Sequence, residues 1–195
     1  MAYEDPTDAP TAPYGAMLEA DVWRRLYEQR TVYLRGAIQD TVADTLCAQL
    51  MSLDAQSDRD VTMFVNSPGG VMDGMFAIYD VVQLMRARVS TVCVGLAASA
   101  GAFLLATGTG SRSATPNARV MIHQPTGGVQ GTAADIEIQA RQSAWMRQRM
   151  VAVLAERTAR DPAEVERDMD RDRWFSAPDA LAYGLIDHVQ LHPVR

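Results

Sequence analysis

The stretch Val89-Ser-Thr-Val-Cys-Val-Gly95 is followed by Leu-Ala-Ala-Ser99 and then by Ala100-Gly-Ala-Phe-Leu-Leu-Ala106. The first segment has the apolar, β-branched composition of a buried strand, and the last segment predicts a helix. Ser99 therefore lies at a strand-to-helix junction, with small residues on both sides of it. Backbone amides at the start of a helix stabilise negative charge, so this junction suits a reacting hydroxyl group.

Strands and helices alternate on both sides of this junction. Short apolar runs predict strands at residues 31–34, 61–65 and 185–190, and apolar residues at helical spacing predict helices around and between them. A longer helix is predicted over residues 135–157, because this range contains no glycine or proline. Such alternation is typical of parallel βαβ units, so the predicted fold class is α/β.

Length and composition favour one domain with a sizeable core. The chain has 195 residues, and 48% of them are hydrophobic. Residues 1–16 contain three prolines among acidic and small residues, which predicts a disordered tail or a removable propeptide. This segment lacks the basic and apolar regions of a secretory signal. Residues 17–195 are predicted to form a single domain.

Charge and cysteine content exclude several classes of function. The net charge is −6, which disfavours nucleic acid as a partner because phosphate binding needs a basic surface. No apolar run is long enough to span a membrane. The two cysteines, Cys47 and Cys93, lie in apolar runs and are predicted to be buried, reduced thiols. A cytoplasmic location is therefore expected.

A histidine and a glycine turn complete a candidate site around Ser99. His123 follows the apolar residues Val120-Met-Ile122, at the predicted exit of a strand, and Asn66-Ser-Pro-Gly-Gly70 forms a turn whose backbone can approach a substrate. Serine needs a base to take its proton, and histidine is the usual one. The residues alone thus indicate a serine hydrolase, although a structural role for His123 remains an alternative.

Residue order argues against one common hydrolase fold. An α/β-hydrolase needs an acid between its serine and its histidine, and residues 100–122 contain no Asp or Glu. The acid must lie elsewhere, and composition does not choose it. The charged run at residues 166–173 would ordinarily be a solvated surface. No metal site is expected: His188 and His192 have the spacing of metal ligands, but Pro193 and the end of the sequence follow directly.

Five segments together resemble the proteolytic subunits of the Clp protease, the ClpP family. They occur in the family's order and span residue 18 to the end. The segments are Asn66-Ser-Pro-Gly-Gly70, Gly95-Leu-Ala-Ala-Ser-Ala-Gly-Ala-Phe-Leu-Leu105, Pro116-Asn-Ala-Arg-Val-Met-Ile-His-Gln-Pro125, Asp135-Ile-Glu-Ile138, and Arg171-Asp-Arg-Trp-Phe-Ser-Ala-Pro178 with Tyr183-Gly-Leu-Ile-Asp187.

The resemblance implies a fold and a catalytic site. The implied fold is crotonase-like, with repeated ββα units and a long protruding handle helix. The implied catalytic residues are Ser99, His123 and Asp172, in that chain order. The backbone N–H groups of Gly70 and Ala100 are implied to form the oxyanion hole.

The resemblance also implies an assembly and its partners. Family members form two stacked seven-fold rings of identical or related subunits, in which Asp170 and Arg171 match charged positions at the ring–ring contact. Extended substrate is implied to pair with the backbone at Gly127 and Gly128. An AAA+ ATPase would feed unfolded proteins into the chamber and use the ATP, so this chain is expected to bind no cofactor.

Three features depart from the family pattern and keep other functions open. Ala100 stands where relatives usually have methionine, Thr62 stands where relatives have an aromatic residue in the groove for the ATPase, and the N-terminal segment is atypical. One alternative is a weakly active or non-catalytic subunit of a mixed ring. A less favoured alternative is an acyl-CoA enzyme of the crotonase type, which would not need the Ser99–His123 pair.

Overall fold

The computed structural model describes residues 11–128 and 130–191. Within these ranges helices and strands alternate along most of the chain. The elements are α1 (Thr11–Glu28), β1 (Thr31–Arg35), α2 (Asp40–Gln56), β2 (Val61–Ser67), α3 (Met72–Leu84), β3 (Val89–Ala98), α4 (Ala100–Ala106), β4 (Arg112–Ala114), β5 (Arg119–Ile122), α5 (Ala133–Thr158), α6 (Pro162–Asp168), β6 (Arg173–Ser176), α7 (Ala177–Tyr183) and β7 (His188–Val189). The predicted α/β class is confirmed.

One sheet organises the fold, and its main path runs in the order β1-β2-β3-β4-β7. All pairs along this path are parallel. Strand β3 uses Thr91–Cys93 to pair with β4 and Leu96–Ala98 to pair with β5. Gly95 lies between the two segments with a φ of +83°, which glycine adopts without strain. This change of partner places β5 beside the end of β3, and the antiparallel strand β6 then pairs with β5.

The hydrophobic core lies between the sheet and helices α2, α3, α4 and the end of α5. Every residue of α4 is buried, and the Phe103 ring lies 5.8 Å from Phe76 and 5.4 Å from Tyr79. Deeply buried side chains from several elements join it, including Leu34, Leu50, Met63 and Leu154. Helix α4 is therefore fixed by packing on all sides, and so is the junction from which it starts.

Helix α5 is divided into an exposed and a packed part. Thr132 and Asp135 form a capping box at its N-terminus. From residue 133 to 149 the side chains are exposed or half-buried, whereas Met150 begins the buried part. The exposed part carries three large hydrophobic residues, Ile136, Ile138 and Trp145. The helix predicted over residues 135–157 is confirmed, with two residues more at its start and one at its end.

The first helix begins inside the segment that was predicted to be a tail. It starts at Thr11, so residues 11–16 of the predicted tail are helical. Pro13 lies in the first turn, where a helix makes no use of the backbone N–H that proline lacks. Residues 1–10, where most of the predicted tail falls, lie outside the described residues. In the part of the chain that the structure describes, no helix is long and apolar enough to cross a bilayer.

Candidate active site

Ser99 occupies the turn between β3 and α4. Its backbone has φ +56° and ψ −123°, a conformation that is strained for any residue except glycine. The Ser99 N–H donates to the Met121 carbonyl over 2.8 Å, and the Ser99 carbonyl accepts from the Phe103 N–H over 3.0 Å. Gly69 packs directly against it, since a Cβ on Gly69 would lie 2.7 Å from the Ser99 Cβ. The strained turn is thus held by β5, α4 and the glycine turn together.

His123 reaches Ser99 because of the strand pairing. Ala98 pairs with Met121, so the residue that follows β5 emerges beside the residue that follows β3. The His123 Nε2 lies 2.9 Å from the Ser99 Oγ. The imidazole is mostly buried, with 18% of its side chain exposed.

Asp172 reaches the other side of the imidazole through β6. Ile122 of β5 pairs with Arg173 of β6, so the preceding residue Asp172 lies opposite His123. The Asp172 Oδ1 is 3.0 Å from the His123 Nδ1. With its proton on Nδ1, the imidazole donates to Asp172, and Nε2 accepts the hydroxyl proton of Ser99.

The glycine turn after β2 places backbone amides near Ser99. The N–H of Ile38 donates to the Gly69 carbonyl and the N–H of Val71 donates to the Ile38 carbonyl, a pattern that leaves the Gly70 N–H directed away from Ile38. A Cβ on Gly70 would lie 2.1 Å from the Ile38 carbonyl oxygen, so only glycine fits. Ala100 is the first residue of α4, and its N–H has no acceptor within the helix.

A protein-family model described as Clp protease matches residues 15–192 of the chain. The chain belongs to the Clp protease family. It is thus a ClpP-type proteolytic subunit, and the family identifies it as a peptidase.

In this Clp protease subunit the segment before Asp172 is anchored to the residue after His123. The Gln124 N–H donates to the Met169 carbonyl over 2.5 Å, and the Gln124 Nε2 donates to the Asp170 carbonyl over 2.9 Å. Arg171, with 84% of its side chain exposed, forms an ion pair with Asp170 over 3.3 Å. Both residues predicted at the ring–ring contact are therefore at the surface of the single chain, and their role between rings stays a prediction.

Gly127 and Gly128 lie between the end of β5 and the start of α5. Both are exposed, and an added Cβ at either position would meet no atom of the described residues within 4 Å. Neither belongs to a strand in the single chain. Their predicted pairing with a substrate backbone stays a prediction, and the open space around them is compatible with it.

Thr62 lines a groove that contains none of the residues around Ser99. The groove has a volume of about 700 Å³. Its lining is mixed: polar side chains such as Thr62, Ser113 and His188 alternate with the apolar Leu26, Phe64 and Val92. His188 lies 3.3 Å from the Ser111 Oγ and 3.0 Å from the Gln190 Oε1. His192 lies outside the described residues, and within those residues no group of three or more His, Cys, Asp or Glu side chains is arranged to hold a metal ion.

Sequence patterns did not single out Gly69 and Gln124. Gly69 touches Ser99 through space, and Gln124 holds the segment that carries Asp172. Gly69 lies inside the glycine turn that the sequence indicated, but the functional role in that turn was assigned to its neighbour Gly70. For Gln124 the only signal was its position directly after His123.

Proposed function

We propose that this chain is a serine endopeptidase subunit in which Ser99, His123 and Asp172 are the catalytic residues. One observation carries the proposal: the Ser99 Oγ, both ring nitrogens of His123 and the Asp172 carboxylate form a continuous chain with distances of 2.9 and 3.0 Å. This geometry lets the imidazole remove the hydroxyl proton while the carboxylate orients the ring.

The reaction is acyl transfer in two steps. The Ser99 Oγ attacks the scissile carbonyl carbon while His123 takes its proton. The N–H groups of Gly70 and Ala100 stabilise the oxyanion, and loss of one such donor typically costs about 10²–10³ in kcat. His123 then protonates the leaving amine. Water hydrolyses the acyl-enzyme by the same route in reverse, and Asp172 stabilises the imidazolium in both steps.

The proposed substrates are unfolded proteins, cleaved inside a chamber of two stacked seven-membered rings. Gly127 and Gly128 would pair with the substrate backbone, which gives little dependence on side-chain sequence. The exposed part of α5, with Ile136, Ile138 and Trp145, would act as the handle between rings in a crotonase-like fold. A partner AAA+ ATPase would deliver substrate and consume the ATP.

A second candidate is a subunit of a mixed ring that depends on a related subunit for full activity or for ATPase docking. Thr62 favours it, because an aromatic residue at this position would extend the apolar surface that Phe64 already gives the groove, and a partner's apolar side chain would then make a better contact. An acyl-CoA enzyme is disfavoured, because it would leave the Ser99–His123 hydrogen bond without a role.

Hydrolysis of a fluorogenic peptide tests the proposal. We expect Ser99→Ala to abolish cleavage, whereas Ser52→Ala, at an exposed site on α2, should leave it unchanged. Cleavage by the Ser99→Ala protein at the wild-type rate would overturn the assignment. Activity that arises only after mixing with a related subunit, and that still requires Ser99, would support the mixed ring.

A further inference from the structure

The carboxylate of Asp172 is held by few contacts of its own. Its side chain is 59% exposed, and within the described residues it contacts the imidazole of His123. The four-residue loop 169–172 that carries it leaves α6 at Asp168 and enters β6 at Arg173. The position of the carboxylate therefore depends on the hydrogen bonds from Gln124 to Met169 and Asp170 and on how the two ends of this loop are fixed.

The two ends of the loop are joined by an ion pair. The Arg173 Nη1 contacts the Asp168 Oδ1, and the second carboxylate oxygen of Asp168 accepts a hydrogen bond of 2.8 Å from the Tyr183 hydroxyl. Asp168 is only 18% exposed, whereas Arg173 is 44% exposed, so the Asp168 carboxylate is shielded from water better than the guanidinium that it binds. One carboxylate oxygen of Asp168 thus binds the residue after the loop, and the other binds the Tyr183 hydroxyl.

Aromatic rings fix the direction of the Arg173 side chain. Its guanidinium carbon lies 5.1 Å from the centre of the Tyr183 ring and 5.2 Å from that of Phe175, within the range of cation–π attraction. The two rings pack 4.9 Å apart. Partial burial and then the nearby Asp168 carboxylate raise the pKa of Tyr183, so its hydroxyl keeps its proton and remains a donor at neutral pH.

We propose that Asp168, Arg173 and Tyr183 form a loop clamp whose role is to hold Asp172 against His123. The three are positioning residues that act through Asp172. Arg173 directly follows Asp172 and pairs across the sheet with Ile122, which directly precedes His123. A shift of Arg173 would therefore move the acid relative to the base. This inference rests on the proposed serine peptidase function.

Three variants separate positioning from mere stability. Arg173→Gln removes the ion pair, Tyr183→Phe removes only one hydrogen bond, and Arg173→Lys keeps the charge. A displacement of about 1 Å can cost on the order of a hundredfold in rate, so we expect kcat of Arg173→Gln to fall by about ten- to a hundredfold with KM unchanged. Tyr183→Phe should lose less, about two- to tenfold, because it removes one hydrogen bond and keeps the ion pair. Arg173→Lys should recover part of the loss.

The matched control is Arg88→Gln, which breaks an exposed ion pair with Asp60 away from the loop and should keep wild-type kcat. A second readout is the low-field Nδ1–H proton signal of His123 in ¹⁵N-histidine-labelled protein, assigned with His123→Asn. This signal should broaden or disappear in Arg173→Gln, and it reports the His123–Asp172 hydrogen bond whether or not peptide is cleaved.

Each outcome decides for or against the loop clamp. A fall in kcat with intact rings by sedimentation and a lost Nδ1–H signal supports it. Wild-type kcat and an unchanged signal in Arg173→Gln and Tyr183→Phe overturn it, and so does a fall in kcat that accompanies dissociation of the rings. Failure of the proposed function gives a different result: the wild-type protein itself would cleave no peptide, while the proton signal would still test the clamp.

Discussion

Gly69→Ala should displace Ser99 without changing any group that takes part in the chemistry. The added Cβ would lie 2.7 Å from the Ser99 Cβ, about 0.7 Å short of the 3.4 Å at which ordinary contact begins. It would also lie 2.9 Å from the Ala98 carbonyl oxygen and 3.0 Å from the Ala100 nitrogen. Because these atoms belong to the backbone or to Cβ, the clash must be relieved by a shift of the turn itself.

The size of the effect follows from that shift. A misplacement of about 1 Å costs on the order of a hundredfold in rate. A shift of about 0.7 Å, which would relieve the clash with Ser99, therefore predicts a loss of about ten- to a hundredfold in kcat. Gly69 has a φ of +99°, and forcing alanine into this conformation costs roughly 1–3 kcal/mol of stability as well. Fluorogenic peptide hydrolysis measures the first quantity, and thermal or urea unfolding measures the second.

Gly36→Ala is the matched control. Gly36 has a φ of +74°, so alanine there meets similar backbone strain, but in the part of the chain that the structure describes no atom lies within 4 Å of an added Cβ. We expect it to lose stability and to keep kcat. Full activity in Gly69→Ala, or an equal loss of kcat in both variants, would refute the idea that contact with Gly69 positions Ser99.

Three further predictions concern assembly, thiol reactivity and acid stability. Arg171→Ala should shift sedimentation toward single rings and lower peptidase activity together, since a charge that loses its partner at an interface is destabilising; intact double rings with full activity would contradict this. Burial raises the pKa of Cys93 to about 12, so iodoacetamide at pH 8 should modify it only after unfolding, and rapid labelling of the folded protein would be the contrary result. Partial burial opposes ionisation of Asp187, but hydrogen bonds and the charge of Arg112 lower its pKa overall. The Asp187 carboxylate therefore stabilises the fold at pH values above its unfolded-state pKa, and this stabilisation is lost as the pH falls. Asp187→Asn should lower the free energy of unfolding by roughly 1 kcal/mol at pH 7 and by less in acid. An unchanged Tm at pH 7 would contradict this prediction.

The parts of the fold with a strong local pattern could be predicted from the sequence. The strand before Ser99 and the helix after it have long apolar runs, and α5 has no residue that breaks a helix. Strand β4 has three residues and β6 has four, so both are too short to show a strand pattern of their own. These strands form because β3 and β5 offer partners for pairing, which is a property of the assembled sheet.

The candidate site also contains residues that the sequence marks and one that it does not. Ser99 and His123 stand at the ends of apolar runs, where position alone marks them. Asp172 lies in a run of charged residues that reads as a solvated surface, and it is in fact mostly exposed. Burial and composition therefore do not distinguish it from its neighbours. Only the resemblance to a known family pointed to it, and the β5–β6 register explains why it lies opposite His123.

The most direct test of the serine mechanism is to locate the adduct formed by a fluorophosphonate. Intact mass and peptide mapping of the wild-type protein should show one phosphonyl group per chain, attached to Ser99. In His123→Ala, which removes the base 2.9 Å from the Ser99 Oγ, the adduct should form far more slowly. An adduct on a different residue, or labelling of Ser99 at an unchanged rate without His123, would contradict the mechanism.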